Sequence, residues 1–195
     1  MKKPLKHLLI LLVVKSSLFG QKLEDTLSYV KYSEALEMDV TSVTAIDFTR
    51  DRLKEIPEEL FQFKNLKGLK LTKNKLTSLP DEFKSLKNLE FLHLDKNKFE
   101  VFPYQVFHLE NLRYLNISKN KITSIPKGIK ALNNLAHLDI WANRIEDFPS
   151  VLKELPKLQY LDTRGMTYSP TFVENWTKNL PNTEIKFDQP CNCMK

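Results

Sequence analysis

The segment Leu66–Leu86, LKGLKLTKNKLTSLPDEFKSL, spaces its apolar residues as neither a simple helix nor a simple strand does. Leu66, Leu69 and Leu71 are followed by Asn74, then by Leu76 and Leu79, then by Pro80, Phe83 and Leu86. Moved along by 23 residues, the pattern returns as Leu89, Leu92, Leu94, Asn97, Phe99, Phe102, Pro103, Val106 and Leu109. It returns again from Leu112, with Asn120 and Pro126, and from Leu135, with Asn143 and Pro149. With the weaker copies at either side, six units begin at Val43, Leu66, Leu89, Leu112, Leu135 and Leu158. Ordinary helix or strand periodicity repeats apolarity alone. A fixed asparagine and proline as well mean that a whole coil of chain is the repeating object.

Each slot has a physical reason. Residues such as Leu69 and Leu71 alternate inward on a short strand, and successive strands stack in parallel about 4.8 Å apart. The chain then turns, and an Asn side chain, both donor and acceptor, satisfies backbone groups that the turn leaves unpaired. Asn74, Asn97, Asn120 and Asn143 are expected to form such a ladder. Proline after Leu79 and its equivalents suits the first turn of a short helix, where its missing N–H would have no partner. Acids follow it at Glu58, Glu59, Asp81 and Glu82, where a helix N-terminus favours negative charge. The end units deviate: Asp51 and Met166 stand in the Asn slot. Ser169-Pro170 reads as the cap and first turn of a helix with Phe172, Val173, Trp176 and Leu180 on one face, and Thr183 to Phe187 as a further strand. Leu23 to Met38 reads as a helix covering the first strand.

The pattern resembles the 23-residue leucine-rich repeat family, which includes Ras-suppressor-like proteins and small secreted repeat proteins of Gram-negative bacteria. The resemblance runs from Val43 to Phe187, and the stretch from Leu180-Pro181-Asn182-Thr183 to Cys191-Asn192-Cys193 is similar to the C-terminal end of such bacterial proteins. It implies an α/β fold: a leucine-rich repeat solenoid with a parallel β-sheet on the concave face, short helices or 3-10 turns on the convex face and helical caps at both ends. It further implies binding of other macromolecules by the concave face, without catalysis. Six repeats make a short solenoid with little curvature.

Met1 to Gly20 has the three parts of a secretory signal peptide: Lys2, Lys3 and Lys6, then the apolar run Leu8 to Val14, then small residues ahead of a cut near Gly20. The run is shorter than the ~20 residues that span a bilayer, so no stable membrane insertion is expected. The expected organisation is a signal peptide over 1–20, an N-terminal helical cap over 21–42, the repeats over 43–165, and a C-terminal cap and tail over 166–195. The product would be secreted or periplasmic. The whole chain carries +6, but the first 20 residues hold four lysines and no acid, leaving 26 basic against 24 acidic residues, a net of +2. So small a surplus argues against nucleic acid. Four scattered glycines exclude the phosphate-cradling loops, and four histidines at unrelated spacings give no zinc motif; neither cofactor nor metal is expected. Cys191 and Cys193 leave three readings open: a local disulfide, a redox pair or a link between chains.

The strand residues between the inward ones point outward, and they can be read by column. The third column is Ala45, Gly68, Phe91, Tyr114, His137 and Tyr160; the fifth is Asp47, Lys70, His93, Asn116, Asp139 and Asp162; the seventh is Thr49, Thr72, Asp95, Ser118, Trp141 and Arg164. The aromatics Phe91, Tyr114, His137, Tyr160 and Trp141, together with His93, Asp95, Asn116, Asp139 and Asp162, are the candidate binding set for a protein, peptide or glycan, because recognition surfaces favour exposed aromatics. The competing reading is cross-strand packing that only stabilises the sheet. A second stripe is basic: Arg50, Arg52, Lys73, Lys75, Lys96, Lys98, Lys119, Lys121 and Arg144 flank the Asn slot along one edge. It suits an anionic envelope polymer, against the plainer reading of solvated turn residues. A hydrolase is disfavoured, because Ser118 lies four residues beyond the position opposite His137, roughly 13 Å along the strand. Seven strands about 4.8 Å apart give a face of about 430 Å², roughly half the area per partner of a standard protein interface.

Overall fold

A computed structural model of the chain describes residues 26–188. The expected signal peptide over 1–20 and the residues Cys191 and Cys193 fall outside the described residues. Eight short strands form one parallel sheet in strict chain order: β1 (Val30–Lys31), β2 (Ala45–Asp47), β3 (Gly68–Lys70), β4 (Phe91–His93), β5 (Tyr114–Asn116), β6 (His137–Asp139), β7 (Tyr160–Asp162) and β8 (Glu184–Lys186). The register advances by 23 residues per strand from β2 to β7, so that Leu69, Leu92, Leu115, Leu138 and Leu161 are direct neighbours. All five are completely buried.

Opposite the sheet run five 3-10 turns, Glu58–Gln62, Asp81–Ser85, Tyr104–His108, Lys127–Ala131 and Ser150–Glu154, each opening directly after a proline. Their inward residues Leu60, Phe83, Val106, Ile129 and Leu152 are fully buried and close the core against the strand leucines. Proline sets the entry to each turn at a φ between −60° and −71°, where its ring is already fixed. The sheet on one side and tight turns on the other are the architecture expected from the repeat.

The expected asparagine ladder is present. Asn97 is representative: its amide donates to the carbonyls of Leu71 (2.8 Å) and Leu94 (3.0 Å), and its oxygen accepts the Leu76 N–H (3.1 Å). Asn74, Asn120 and Asn143 repeat this arrangement, all buried. A second ladder lies at the opposite ends of the strands. Asn65, Asn88, Asn111 and Asn134 each donate at 2.9 Å to a carbonyl in the preceding coil.

The two caps differ from each other. The C-terminal cap follows the expectation: α2 (Pro170–Asn179) begins at Ser169, whose hydroxyl accepts the Phe172 N–H at 3.1 Å, and Trp176 and Leu180 are buried. The N-terminal cap does not. Within the expected helix over Leu23 to Met38, the described residues hold the strand β1 and a single turn of helix, α1 (Tyr32–Ala35). Pairing of Val30 with Ile46 extends the sheet by one strand, while Tyr32 packs on Phe48 with ring centres 4.6 Å apart and covers the end of the core.

Candidate interaction surface

The outward columns of the sheet converge on β4 to β7. Phe91, Tyr114, His137 and Tyr160 are register neighbours, as the repeat requires. The rings that stack, however, are His93, Tyr114, His137 and Tyr160, with centres 4.9, 4.4 and 4.4 Å apart. The last two contacts are near-parallel, at 24° and 20°. Each of these rings remains half-buried. Phe91 corrects an expectation, since it is only 3% exposed. It neighbours Gly68, over which the chain's own N-terminal segment lies. A Cβ at Gly68 would stand 2.6 Å from the Tyr29 hydroxyl and 2.8 Å from Leu27. Lys70 sits over the Tyr29 ring at 3.8 Å. The β3 end of the face is therefore occupied from within, and its open part lies over β5 to β8.

The aspartates and the asparagine of the fifth column do local work. In each case a side-chain oxygen accepts the N–H two residues on: Asp47 from Thr49 (2.7 Å), Asn116 from Ser118 (3.0 Å), Asp139 from Trp141 (3.0 Å) and Asp162 from Arg164 (3.1 Å). Backbone N–H groups freed at the strand ends are thereby satisfied. Asp95 and Asp162, expected in the outward-pointing binding set, are only 6% and 4% exposed. Asp95 accepts the Thr72 hydroxyl at 2.6 Å and pairs with Lys96, while Arg164 grips Asp162 through Nε (3.0 Å) and a terminal nitrogen (2.5 Å). Burial, with the neighbouring Asp162 carboxylate, pushes the Tyr160 hydroxyl up to about 12. Asp139 is raised to about 6, chiefly by burial and next by the charges of Asp162 and Asp95, against the Trp141 N–H that favours its ionised form. Trp141 is half-buried, with the Lys119 ammonium 4.1 Å from its ring centre.

The basic stripe lies along the edge where the strands end. Arg50, Lys73, Lys96 and Lys119 occupy one slot of successive coils, all in the left-handed backbone region, followed by Ala142 and Gly165. Such a conformation costs a non-glycine residue roughly 1–2 kcal/mol. It is fixed because the same residues carry the ladder onward, as in Lys73 N–H to the Asp95 carbonyl at 3.0 Å. Two members lean onto the sheet face, Lys96 to Asp95 and Lys119 to Trp141, and Lys121 pairs with Glu100. Arg50, Arg52, Lys73, Lys75, Lys98 and Arg144 are exposed. Among the described residues no cluster of His, Cys, Asp or Glu could hold a metal ion, and no helix is long and apolar enough to cross a membrane.

Residues 104–181 match the family described as "Leucine-rich repeat region", and residues 41–99 the family described as "Leucine rich repeat". No curated protein matches the chain significantly. Among solved structures, internalin C2 of Listeria monocytogenes is 26% identical over 75% of this chain, with a TM-score of 0.65; the chain spans 62% of that structure's length. A leucine-rich repeat protein of Leptospira interrogans is 26% identical over 75% of this chain and 55% of its own, with a TM-score of 0.37. Leucine-rich repeat proteins generally act as protein-binding modules, and the fold is typically a non-enzymatic scaffold. With its 23-residue coils, its single parallel sheet and its two matched stretches, this chain folds as a leucine-rich repeat solenoid.

Proposed function

We propose that the chain is an exported recognition module without catalysis of its own, which grips a partner protein or peptide on the outward face of β5 to β8. The observation that carries this reading is the half-buried ring stack His93–Tyr114–His137–Tyr160, bordered by Trp141, on a face whose other end the chain itself covers. Stacked rings spend their flat faces on one another, which leaves their edges for a partner. Edges suit hydrogen bonding to peptide groups better than the flat stacking that a sugar ring needs, so a protein segment is preferred over a glycan. Export rests on the lysine-rich start and the apolar run Leu8 to Val14, with cleavage after Gly20.

A pull-down from envelope and culture-medium extracts tests the reading. The parent protein should retain a specific partner, and the variant combining Tyr114→Ala, Trp141→Ala and Tyr160→Ala should lose it while keeping its circular dichroism spectrum. Equal retention by both would reject the face. N-terminal sequencing of the exported product should begin at Gln21.

One observation favours a second site. Basic residues recur at four successive left-handed positions along the edge, and most members of the stripe are exposed. A row repeating about every 5 Å is suited to an anionic polymer. That mode would make binding fall steeply with added salt, and binding indifferent to salt would exclude it.

A further inference from the structure

Among the described residues, the carboxylates on the strands of this face are matched by cations, with Asp139 the exception beside the ring stack. On β7, Asp162 is clamped by Arg164; on β8, Glu184 pairs with Lys186 at 2.5 Å. At the other end, Asp47 pairs with Lys31 at 3.1 Å and Asp95 with Lys96 at 3.5 Å. Each carboxylate uses one oxygen locally, or none, and offers an oxygen to a cation. Asp139, in the middle of the sheet, accepts the Trp141 N–H and, among the described residues, forms no salt bridge; the cation acting on it, the Arg164 guanidinium, is bound to Asp162. Asp188 adds another negative group at the β8 end, where its carboxylate accepts the Gly165 N–H at 2.6 Å.

The surroundings of Asp139 suit a cation in three ways. Asn116 and Asp162 are its register neighbours about 5 Å away, each already engaged within the chain, by Ser118 and by Arg164, so the Asp139 carboxylate is the acceptor left to offer an oxygen. His137 and Trp141 precede and follow it by two positions on the same face, which gives an aromatic border. That border already holds an ammonium, since Lys119 lies over the Trp141 ring. Aromatic rings beside a carboxylate are how proteins commonly seat a guanidinium or ammonium group.

Resting on the reading of β5 to β8 as the binding face, we infer that this face docks a cationic segment of its protein partner, with one arginine or lysine side chain seated on the Asp139 carboxylate. The partner supplies the kind of cation that Asp47, Asp95, Asp162 and Glu184 receive from this chain. The face is thus selective for basic segments, even though the protein as a whole is weakly basic.

The direct test uses nuclear magnetic resonance on the chain from Gln21 onward, titrated with the peptide acetyl-GSRGSRG-amide and with counterparts carrying glutamine or glutamate in place of arginine. Only the arginine peptide should shift the Trp141 amide and indole signals in a saturable way. Asp139→Asn keeps an acceptor for the Trp141 N–H, so it should fold, and should weaken that binding about tenfold. Equal shifts from the glutamine peptide, or a titration of the Asn variant indistinguishable from the parent's, would overturn the inference. Retention of the captured partner separates it from the broader reading. Loss with both Asp139→Asn and Tyr160→Ala supports cation docking. Loss with Tyr160→Ala alone leaves the face standing and removes the cation, and loss with neither removes both.

Discussion

A single asparagine shows how little surface chemistry the solenoid needs to hold its turns. Asn97 serves three backbone groups from buried positions, whereas Asn88, at the other end of the strand, is exposed and donates once, to the Lys64 carbonyl. Stranding buried polar groups costs about 1–3 kcal/mol each, and losing one exposed hydrogen bond about 1 kcal/mol or less. Urea unfolding should therefore place Asn97→Ala about 3 kcal/mol or more below the parent, and Asn88→Ala within about 1 kcal/mol of it. Comparable losses would mean that the inner ladder does not hold the coils. The inner ladder was legible in the sequence because asparagine recurs where apolarity breaks. The outer one was equally written, an asparagine directly before Leu66, Leu89, Leu112 and Leu135, but its donors bond to the preceding coil and no local pattern announces that.

Asp139 carries a signed pH prediction. Its carboxyl lies at about 6 in the folded protein and near 3.9 when unfolded. Between these values the folded state holds the extra proton, so raising the pH from about 4 through 6 removes stability, and the full cost is present above the folded value. The groups that set it are Asp162, Asp95 and Arg164, with His137, Tyr160 and Trp141 on the same face. Discounted for partial exposure, the cost is about 1–2 kcal/mol. Asp139→Asn should be more stable than the parent at pH 7 by about that much, with no gain at pH 4. A gain independent of pH would contradict the assigned cause. An acid that costs the fold stability is a reasonable place to look for function.

The elements were legible wherever the repeat reached, and less so beyond it. Strands and turns from β2 to the turn at Ser150–Glu154 follow from the 23-residue spacing, and α2 follows from Ser169-Pro170 and its apolar face. Removing that cap with Ser169→Ala should cost about 1 kcal/mol, read as a lower melting temperature with α2 losing protection from hydrogen exchange first. The N-terminal cap departs from the expected helix because a two-residue strand has too few positions to display alternation, and because the sheet edge that orders it lies sixteen residues further on. Phe91 was misread for a related reason: register fixes which way a residue points, but not what comes to lie over it. Gly68→Ala tests that covering. Its methyl would collide with Tyr29 and Leu27, so the segment over β3 should lift and be cut faster by a protease acting near residues 26–29. An unchanged cleavage rate would show that the segment does not depend on the space the glycine leaves.

At the scale of the molecule, identical coils bring residues 23 apart in the chain into ring contact at 4.4 Å, and thereby turn a sequence period into a surface. The face is small, so a full-sized protein would contact the neighbouring edge too, where Lys96 and Lys119 already lean onto the sheet. The measurement that bears most directly on this account is amide hydrogen exchange of the chain with and without its captured partner. Added protection should fall on residues 114–118, 137–141 and 160–164, three segments that only stacking brings together. Protection centred instead on the opposite turns at 104–108, 127–131 and 150–154 would contradict it.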